Sequence, residues 1–283
     1  MPPVIPPATR SGPPPAPPRR SAGWKIAAII FGVLLAASLV FHATSFMSQS
    51  LVPTTRTHRI AGPQLEEAIL EDNDAADKIA VISIEGIISS DFLDGAGYSL
   101  IEYIRDQLDL AGEDNRVKAV ILKVNSPGGE VLASDDIYRA IAEFQEKARK
   151  PVIASMGSLA ASGGYYVSAP CRWIVANEMT LTGSIGVIMS SFNFRGLLDK
   201  VGVVPMVYKS GRFKDMLSGI RKESEITSQE REMIQHLVDE TFLKFKEVVA
   251  KGRTTSNKLN KNNRDDKGRE LSKDWSDFAD GRV

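Results

Sequence analysis

The chain of 283 residues contains a single cysteine, Cys171, and three histidines. One cysteine excludes an intrachain disulfide, so the fold must depend on an apolar core. Hydrophobic residues make up 43% of the chain, which is enough for one large or two modest domains. We expect Cys171 to be a small buried residue, because no histidine is placed to partner it in cysteine chemistry.

Acidic residues are absent before Glu66, although the same segment carries six basic residues. Because the whole chain is neutral, the remainder has a net charge of −6. No long basic stripe is present, so we expect no nucleic-acid partner. The sequence also lacks a cluster of metal-ligating residues, and we expect neither a metal nor another cofactor. The acidic residues Asp72, Asp74 and Asp77 are expected to be solvated.

The first twenty residues contain few of the large apolar side chains that build a core. Residues 2–20 hold nine of the fifteen prolines, which predicts a proline-rich tail over residues 1–24. A stretch of sixteen residues, Ile26–Phe41, follows that is apolar apart from Ser38 and spans about 24 Å as a helix. Apolar residues just beyond them can extend this helix, which predicts a membrane anchor over residues 25–47.

A cleaved signal peptide and a buried helix are the alternatives to this anchor. The stretch SLVFHATS lacks a clean small-x-small cleavage site, and the long proline tail is unusual for a signal peptide. We therefore favour an uncleaved anchor. The basic residues before it place the N-terminus in the cytoplasm and the rest of the chain outside the inner, or cell, membrane.

Residues 48–77 are expected to form a stalk, and residues 78–283 an α/β domain. Segments with strand and helix patterns alternate there, which indicates βαβ units and a largely parallel sheet. The predicted strands are 77–88, 117–124, 151–156, 173–177, 186–194 and 205–210. The predicted helices are 98–111, 132–148, a short one after 156, 194–200 and 227–251, with an irregular polar tail after it.

The stretch SMGSLAASGGYY, Ser155–Tyr166, contains three serines and three glycines at the junction of a predicted strand and a helix. A serine at a helix start lies near the positive end of the dipole and beside free backbone N–H groups. Glycines there allow another backbone, such as a peptide substrate, to approach closely. The alternative is that the small residues serve tight packing between helix and sheet.

A nucleophilic serine needs a base, and the three histidines have no evident place beside this stretch. His42 lies in or next to the predicted anchor, His58 in the stalk, and His236 on the polar side of a helix. A neutral lysine is the alternative base. The stretch YKSGRFKDML offers Lys209 and Lys214, and the local sequence does not distinguish between them.

The stretch NSPGGE, Asn125–Glu130, lies between a strand and a helix. A Pro-Gly turn can leave the following N–H groups pointing outward, where two of them can stabilise an oxyanion. Many Pro-Gly turns have no such role, so this motif alone is weak evidence.

Together these motifs resemble the signal peptide peptidase A family of membrane-anchored serine peptidases. The resemblance covers about residues 78–283 and includes, in the family's order, EGII, NSPGGEVLASDDIYRAI, SMGSLAASGGYYVSAP, IVANEMTLTGSIGV and SGRFKDML. It implies that Ser162 is the nucleophile and Lys214 the general base.

By the same resemblance, the candidate oxyanion and substrate-binding residues are Gly128, Gly129 and Gly163. Thr182 or Ser184, in TLTGSIG, is the candidate for holding the lysine in place.

The resemblance also implies a ClpP/crotonase-like spiral of βαβ units, and a homo-oligomer with its active site at a subunit interface. The implied substrate is the remnant signal peptide left in the membrane. Relatives usually continue beyond the motif ADGRV into a further segment, so we expect the peptidase domain to be truncated at its C-terminal end.

Two other functions fit this fold. One is a quality-control protease of membrane proteins, which would use the same residues. The other is a non-catalytic, crotonase-like membrane scaffold, which would not need Ser162 and Lys214 together. A thioester enzyme of this fold would need acidic catalytic residues, and no such pair could be assigned.

Overall fold

The computed structural model describes residues 23–51, 65–91, 97–260 and 279–282. It divides into two units, Met1–Ile60 and Ala61–Val283. The first contains helix α1, Gly23–Leu51, whose described side chains at 28–42 are exposed. Among the described residues, no helix is long and apolar enough to cross a membrane. The anchor over residues 25–47 stays a prediction, and the tail 1–22 lies outside the described residues.

The second unit is built on a parallel sheet of five strands, which confirms the predicted α/β class. Strands β1 to β4 lie in that order, and β5 pairs with the end of β3 beyond β4. The strands are β1 Lys78–Ile88, β2 Val117–Gly129, β3 Val152–Ala161, β4 Trp173–Val175 and β5 Leu181–Gly183.

Helices α2, Leu100–Glu113, and α3, Val131–Ala148, pack against this sheet and against each other. The α2 helix begins at a capping box in which the Ser99 and Glu102 side chains each accept from the other's backbone N–H. Both helices turn an apolar stripe toward the strands and form one core with them. Its large fully buried members are Ile82, Ile84, Ile88, Ile104, Leu108, Val120, Leu122, Val124, Ile137, Ile141, Val152 and Val167.

The second half of this unit contains α4, Gly163–Ser168, α5, Arg195–Lys200, a 3-10 turn, Glu223–Glu225, and α6, Ser228–Asn260. Helix α6 is longer than predicted, and the expectation of an irregular chain from residue 251 is wrong for the first ten residues. The extra turns are held by tertiary contacts, since Arg253 Nη1 donates to Cys171 O at 2.7 Å and Ser256 Oγ donates to the same oxygen at 3.0 Å.

Two predicted strands, 186–194 and 205–210, are not strands in the structure. Both segments lack a ladder partner in the described part of the chain, and a strand exists only as part of a ladder. Their apolar side chains are exposed, up to 92% for Ile188 and 88% for Tyr208. The pattern that predicted strands therefore marks a surface that the described chain does not cover.

Candidate functional site

Ser162 lies at the sharp junction where β3 ends at Ala161 and α4 begins at Gly163. Its backbone has φ 52° and ψ −119°, a conformation that costs a non-glycine residue on the order of 1–3 kcal/mol. Two hydrogen bonds hold it there: its N–H donates to Gly183 O at 2.9 Å, and its carbonyl accepts from Tyr166 N–H at 2.9 Å. A serine held in this strained turn is presented to the cavity beside it.

The backbone of the Pro-Gly turn lies directly against this junction. A Cβ added to Gly128, whose φ is +97°, would lie 2.5 Å from Gly163 N and 2.8 Å from Ser162 Cβ. A Cβ on Gly163 would lie 2.6 Å from Ser134 Oγ and 3.2 Å from Gly129 N. Only glycine fits at either position. The sequence indicated that glycines here let a second backbone approach closely, and in the structure that backbone is the Pro-Gly turn of the same chain.

Two backbone N–H groups are available next to Ser162. Glu130 N–H donates to Ile88 O at 2.8 Å, so the preceding N–H, that of Gly129, faces away from β1 and toward β3. The N–H of Gly163 is at the first position of α4, where no acceptor exists within the helix. Both groups can donate to an oxygen that carries negative charge.

The cavity in front of Ser162 has a volume of about 470 Å³. Its wall is mainly apolar, with charged groups from Asp239, Lys244 and Asp280. The apolar wall consists of Val131, Tyr166, Val187, Ile188, Val238, Phe242 and Phe245. This composition suits a peptide with apolar side chains.

The sequence interpretation missed the part that α6 plays in this wall. Phe245 packs against Tyr166 with ring centroids 4.9 Å apart. The Tyr166 hydroxyl donates to Asp135 Oδ1 at 2.7 Å, and burial, helped by this carboxylate, raises the pKa of Tyr166 well above its usual range. The phenol therefore stays neutral, and Tyr166 is one of the residues that line the cavity. The apolar stripe of α6 was visible in the sequence, but the sequence could not show what it faces.

The two candidates for holding the lysine differ in position. Ser184 lines the cavity, and its N–H donates to Arg282 O at 2.6 Å. Thr182 Oγ1 donates to Ala160 O at 2.8 Å and so fastens β5 to β3. Ser184 therefore shares a cavity with Ser162, whereas the hydroxyl of Thr182 is used within the sheet. Their action on a lysine stays a prediction.

Lys214 is not brought to Ser162 within this chain. It lies in the turn 211–217, its N–H donates to Gly211 O at 3.2 Å, and its side chain is exposed. It is not among the residues that line the cavity. The structure thus places Gly128, Gly129, Gly163 and Ser184 with the serine, and Lys214 elsewhere.

Cys171 is fully buried, as predicted, and its Sγ lies 3.9 Å from Val167 O. Burial raises the pKa of its thiol to about 12. The thiol therefore stays protonated at neutral pH and takes no part in nucleophilic chemistry.

Comparison with known proteins agrees with the motifs. Residues 144–275 match the family described as Peptidase family S49. A putative signal peptide peptidase SppA of Enterococcus faecium is 41% identical over 194 residues, which are 67% of this chain and 55% of that protein. The serine protease SPPA, chloroplastic, of Arabidopsis thaliana is 35% identical over 181 residues, 63% of this chain and 26% of that protein.

Among solved structures, a mutant of the 1510-N membrane-bound stomatin-specific protease in complex with a substrate peptide is 26% identical. The match covers 41% of this chain and 49% of that chain, with a TM-score of 0.32. The chain spans little more than half the length of the Enterococcus relative.

Proposed function

We propose, on the premise that residues 144–275 form a Peptidase family S49 domain, that the chain is a membrane-anchored serine endopeptidase with a Ser162/Lys214 dyad. The observation that carries the proposal is the strained Ser162, held at the end of β3 beside the N–H groups of Gly129 and Gly163. Such strain persists where the surrounding structure maintains it, and it is concentrated at functional sites.

In this mechanism the Ser162 hydroxyl oxygen attacks the carbonyl carbon of the peptide bond, and the neutral amine of Lys214 takes the hydroxyl proton. The carbonyl oxygen becomes negatively charged and accepts hydrogen bonds from the N–H groups of Gly129 and Gly163. The protonated lysine then donates its proton to the leaving amine. Water, deprotonated by the same lysine, then attacks the acyl carbon; the ester bond to Ser162 breaks, and the lysine returns the proton to the serine oxygen.

We propose that the lysine reaches the serine from a second copy of the chain, in a homo-oligomer with a ClpP/crotonase-like spiral in each subunit. The exposed side chain of Lys214 and its absence from the cavity wall support this arrangement. The uncovered apolar segment 187–208 precedes Lys214 and is suited to burial against another subunit. Such burial would also shelter the amine from water and favour its neutral form.

The proposed substrate is a remnant signal peptide, met at the outer surface of the cell membrane by a domain anchored through residues 25–47. The apolar wall of the cavity favours extended apolar peptides. A quality-control protease of membrane proteins would use the same cavity. Mass spectrometry of the products from membrane extracts separates the two, since the first gives fragments of signal peptides and the second gives fragments of mature proteins.

The dyad is tested with Ser162→Ala and Lys214→Ala, each assayed on an apolar reporter peptide. Each change should abolish cleavage, whereas Ser158→Ala, an exposed serine of the same strand, should retain it. Mixing the two inactive variants under conditions that exchange subunits should restore part of the activity. Activity that survives either change refutes the dyad, and no recovery on mixing refutes the sharing between subunits.

A crotonase-like scaffold without activity is the remaining alternative. A peptide aldehyde should form an adduct at Ser162 in the wild-type protein and not in Ser162→Ala. Absence of both the adduct and the cleavage from the assembled wild-type protein would favour the scaffold.

A further inference from the structure

The turn that carries Lys214 is fastened by the residue that follows it. Asp215 Oδ1 accepts a hydrogen bond from Lys209 Nζ at 2.6 Å and lies 3.6 Å from Arg221 Nη1. The same Lys209 amine also donates to Arg212 O at 3.1 Å. The side chain of Asp215 is 13% exposed, although Lys214 next to it is an exposed residue. Ion pairs of Asp215 therefore hold the inner side of the turn, and Lys214 lies on its outer, exposed side.

Arg221 connects this inner side to the start of α6. Its Nη1 donates to Glu230 Oε1 at 2.6 Å, and its Nη2 lies 3.4 Å from Glu230 Oε2. Glu230 in turn caps α6, since its Oε2 accepts from Thr227 N–H at 2.7 Å and from Thr227 Oγ1 at 3.0 Å. The side chains of Arg221 and Glu230 are 12% and 3% exposed.

This series of contacts differs from the other ion pair in the same region. Arg231 and Glu223 are 57% and 84% exposed and lie 3.5 Å apart, the kind of surface pair that adds little stability. Burying two charges costs desolvation energy, so a buried ion pair adds little net stability. The buried Arg221–Glu230 pair is therefore better suited to holding the turn and the helix in one geometry.

Helix α6 connects the Lys214 turn to the Ser162 cavity. Eight residues after Glu230, Val238 is the first residue of α6 that lines the Ser162 cavity, and eight residues correspond to about 12 Å of helix. One rigid helix therefore holds the Lys214 turn at its start and walls the serine cavity further along. A fixed turn on this helix gives Lys214 a fixed position on the surface that a second subunit meets.

We propose that Asp215, Arg221 and Glu230 are positioning residues that act on catalysis through Lys214. The proposal rests on the dyad proposed above. A long lysine side chain has many rotamers, and the network fixes the backbone from which it extends. A displacement of about 1 Å at a reacting group can cost roughly 10²-fold in rate, so the turn needs a rigid support.

The main test is Asp215→Asn, which leaves the Arg221–Glu230 contact and the α6 cap in place. It should lower kcat by about 10- to 100-fold with little change in KM, because substrate binding does not depend on the turn. Arg221→Gln should have the same effect, and Arg221→Lys should restore part of the loss. Arg231→Gln, at the exposed pair, is the matched control and should leave kcat unchanged.

A mixing assay separates positioning from a general loss of structure. Asp215→Asn should reduce the recovered activity when it is combined with Ser162→Ala, on the chain that supplies the lysine. It should have no effect when it is combined with Lys214→Ala, on the chain that supplies the serine. An equal loss in both combinations overturns the proposal, because it shows a role in folding or assembly.

Failure of this proposal and failure of the dyad give different results. If Lys214→Ala is inactive while folded Asp215→Asn and Arg221→Gln retain full kcat, the dyad stands and the positioning role is refuted. If Lys214→Ala itself remains active, the dyad and the positioning role are both refuted. Circular dichroism and thermal melting establish which variants are folded.

Discussion

The two regions that hold the proposed dyad differ in how much of their surroundings the chain itself supplies. Ser162 lies at the end of the central strand β3, among buried backbone and side chains. Lys214 follows a long segment, 187–208, most of whose apolar side chains are exposed and whose backbone forms no ladder in the described chain. Within the described residues, the chain itself supplies the surroundings of Ser162 and leaves those of Lys214 open.

This difference indicates which interactions stabilise each half of the proposed site. The strained conformation of Ser162 is maintained by hydrogen bonds to Gly183 and Tyr166 of the same chain. The Lys214 turn is tied to α6 by ion pairs, while the surface around it stays open. If the dyad is shared between subunits as proposed, the separated chain would be inactive and the assembled one active.

Disrupting the serine region should produce the largest effect. Gly163→Ala would place a Cβ 2.6 Å from Ser134 Oγ and move the N–H proposed to bind the oxyanion. We expect a loss of about 10²- to 10³-fold in kcat and of about 1–3 kcal/mol in the free energy of unfolding. Enzyme assays and urea unfolding measure both. Gly196→Ala, where a Cβ meets nothing within 4 Å, is the control and should not destabilise the protein.

Hydrogen exchange compares the two regions directly. Backbone amides of β2 and β3 should exchange slowly in any state, because their ladders are buried. Amides of 187–193 and 204–208, on either side of α5, should exchange rapidly in dilute, monomeric protein and become protected at concentrations where the chain assembles. Slow exchange of these amides in the monomer would contradict the idea that the segment is incomplete in one chain.

Low pH should weaken the contacts of Glu230 that help to hold the Lys214 turn. Hydrogen bonds from Arg221, and then from Thr227, hold the pKa of Glu230 at about 2, below its value in an unfolded chain of about 4.3. The stability that this carboxylate contributes is present above pH of about 4.3 and is lost as the pH falls toward 2.

Urea unfolding at about pH 6 and about pH 3, on either side of that unfolded-chain pKa, should therefore show a smaller loss for Glu230→Gln than for the wild-type protein. Glu223→Gln removes an exposed carboxylate of the same region and should retain the wild-type loss. An identical pH dependence in Glu230→Gln and the wild type would show that Arg221 does not depress this pKa.

The smallest expected effect concerns the strain at Ser162 itself. Ser162→Gly removes the Cβ that makes φ 52° costly, a gain of about 1–3 kcal/mol, less about 0.5–1 kcal/mol for the added freedom of the unfolded chain. Ser162→Ala keeps the strain. The glycine variant should therefore melt a few degrees higher than the alanine variant, by about 2–8 °C. Equal melting temperatures would show that the strain at Ser162 is no larger than the cost of the added freedom of the unfolded glycine variant.

The sequence predicted the elements that have their own periodic pattern or their own caps. Helices α2 and α3 and the starts of β1, β2 and β3 lie within two residues of their predicted bounds, because alternating and helical patterns reflect burial. The ends of β2 and β3 lie five residues beyond the predicted ones, since the glycine-rich stretches that follow were read as a turn and a helix. Strand β5 was not predicted, since three residues carry no pattern and pair only because β3 is beside them. For 186–194 and 205–210 the strand pattern was present, but the described residues supply no pairing partner.

Taken alone, the sequence determined the chemistry available to this protein: a serine between small residues at a strand–helix junction, glycines that admit a second backbone, and lysines without a competing histidine. Those properties are local, because residue type and chain direction decide them. Tertiary structure decided that Gly128 and Gly163 meet, that α6 walls the cavity, and that Lys214 stays on the surface. These depend on contacts between residues far apart in the chain, which no local pattern records.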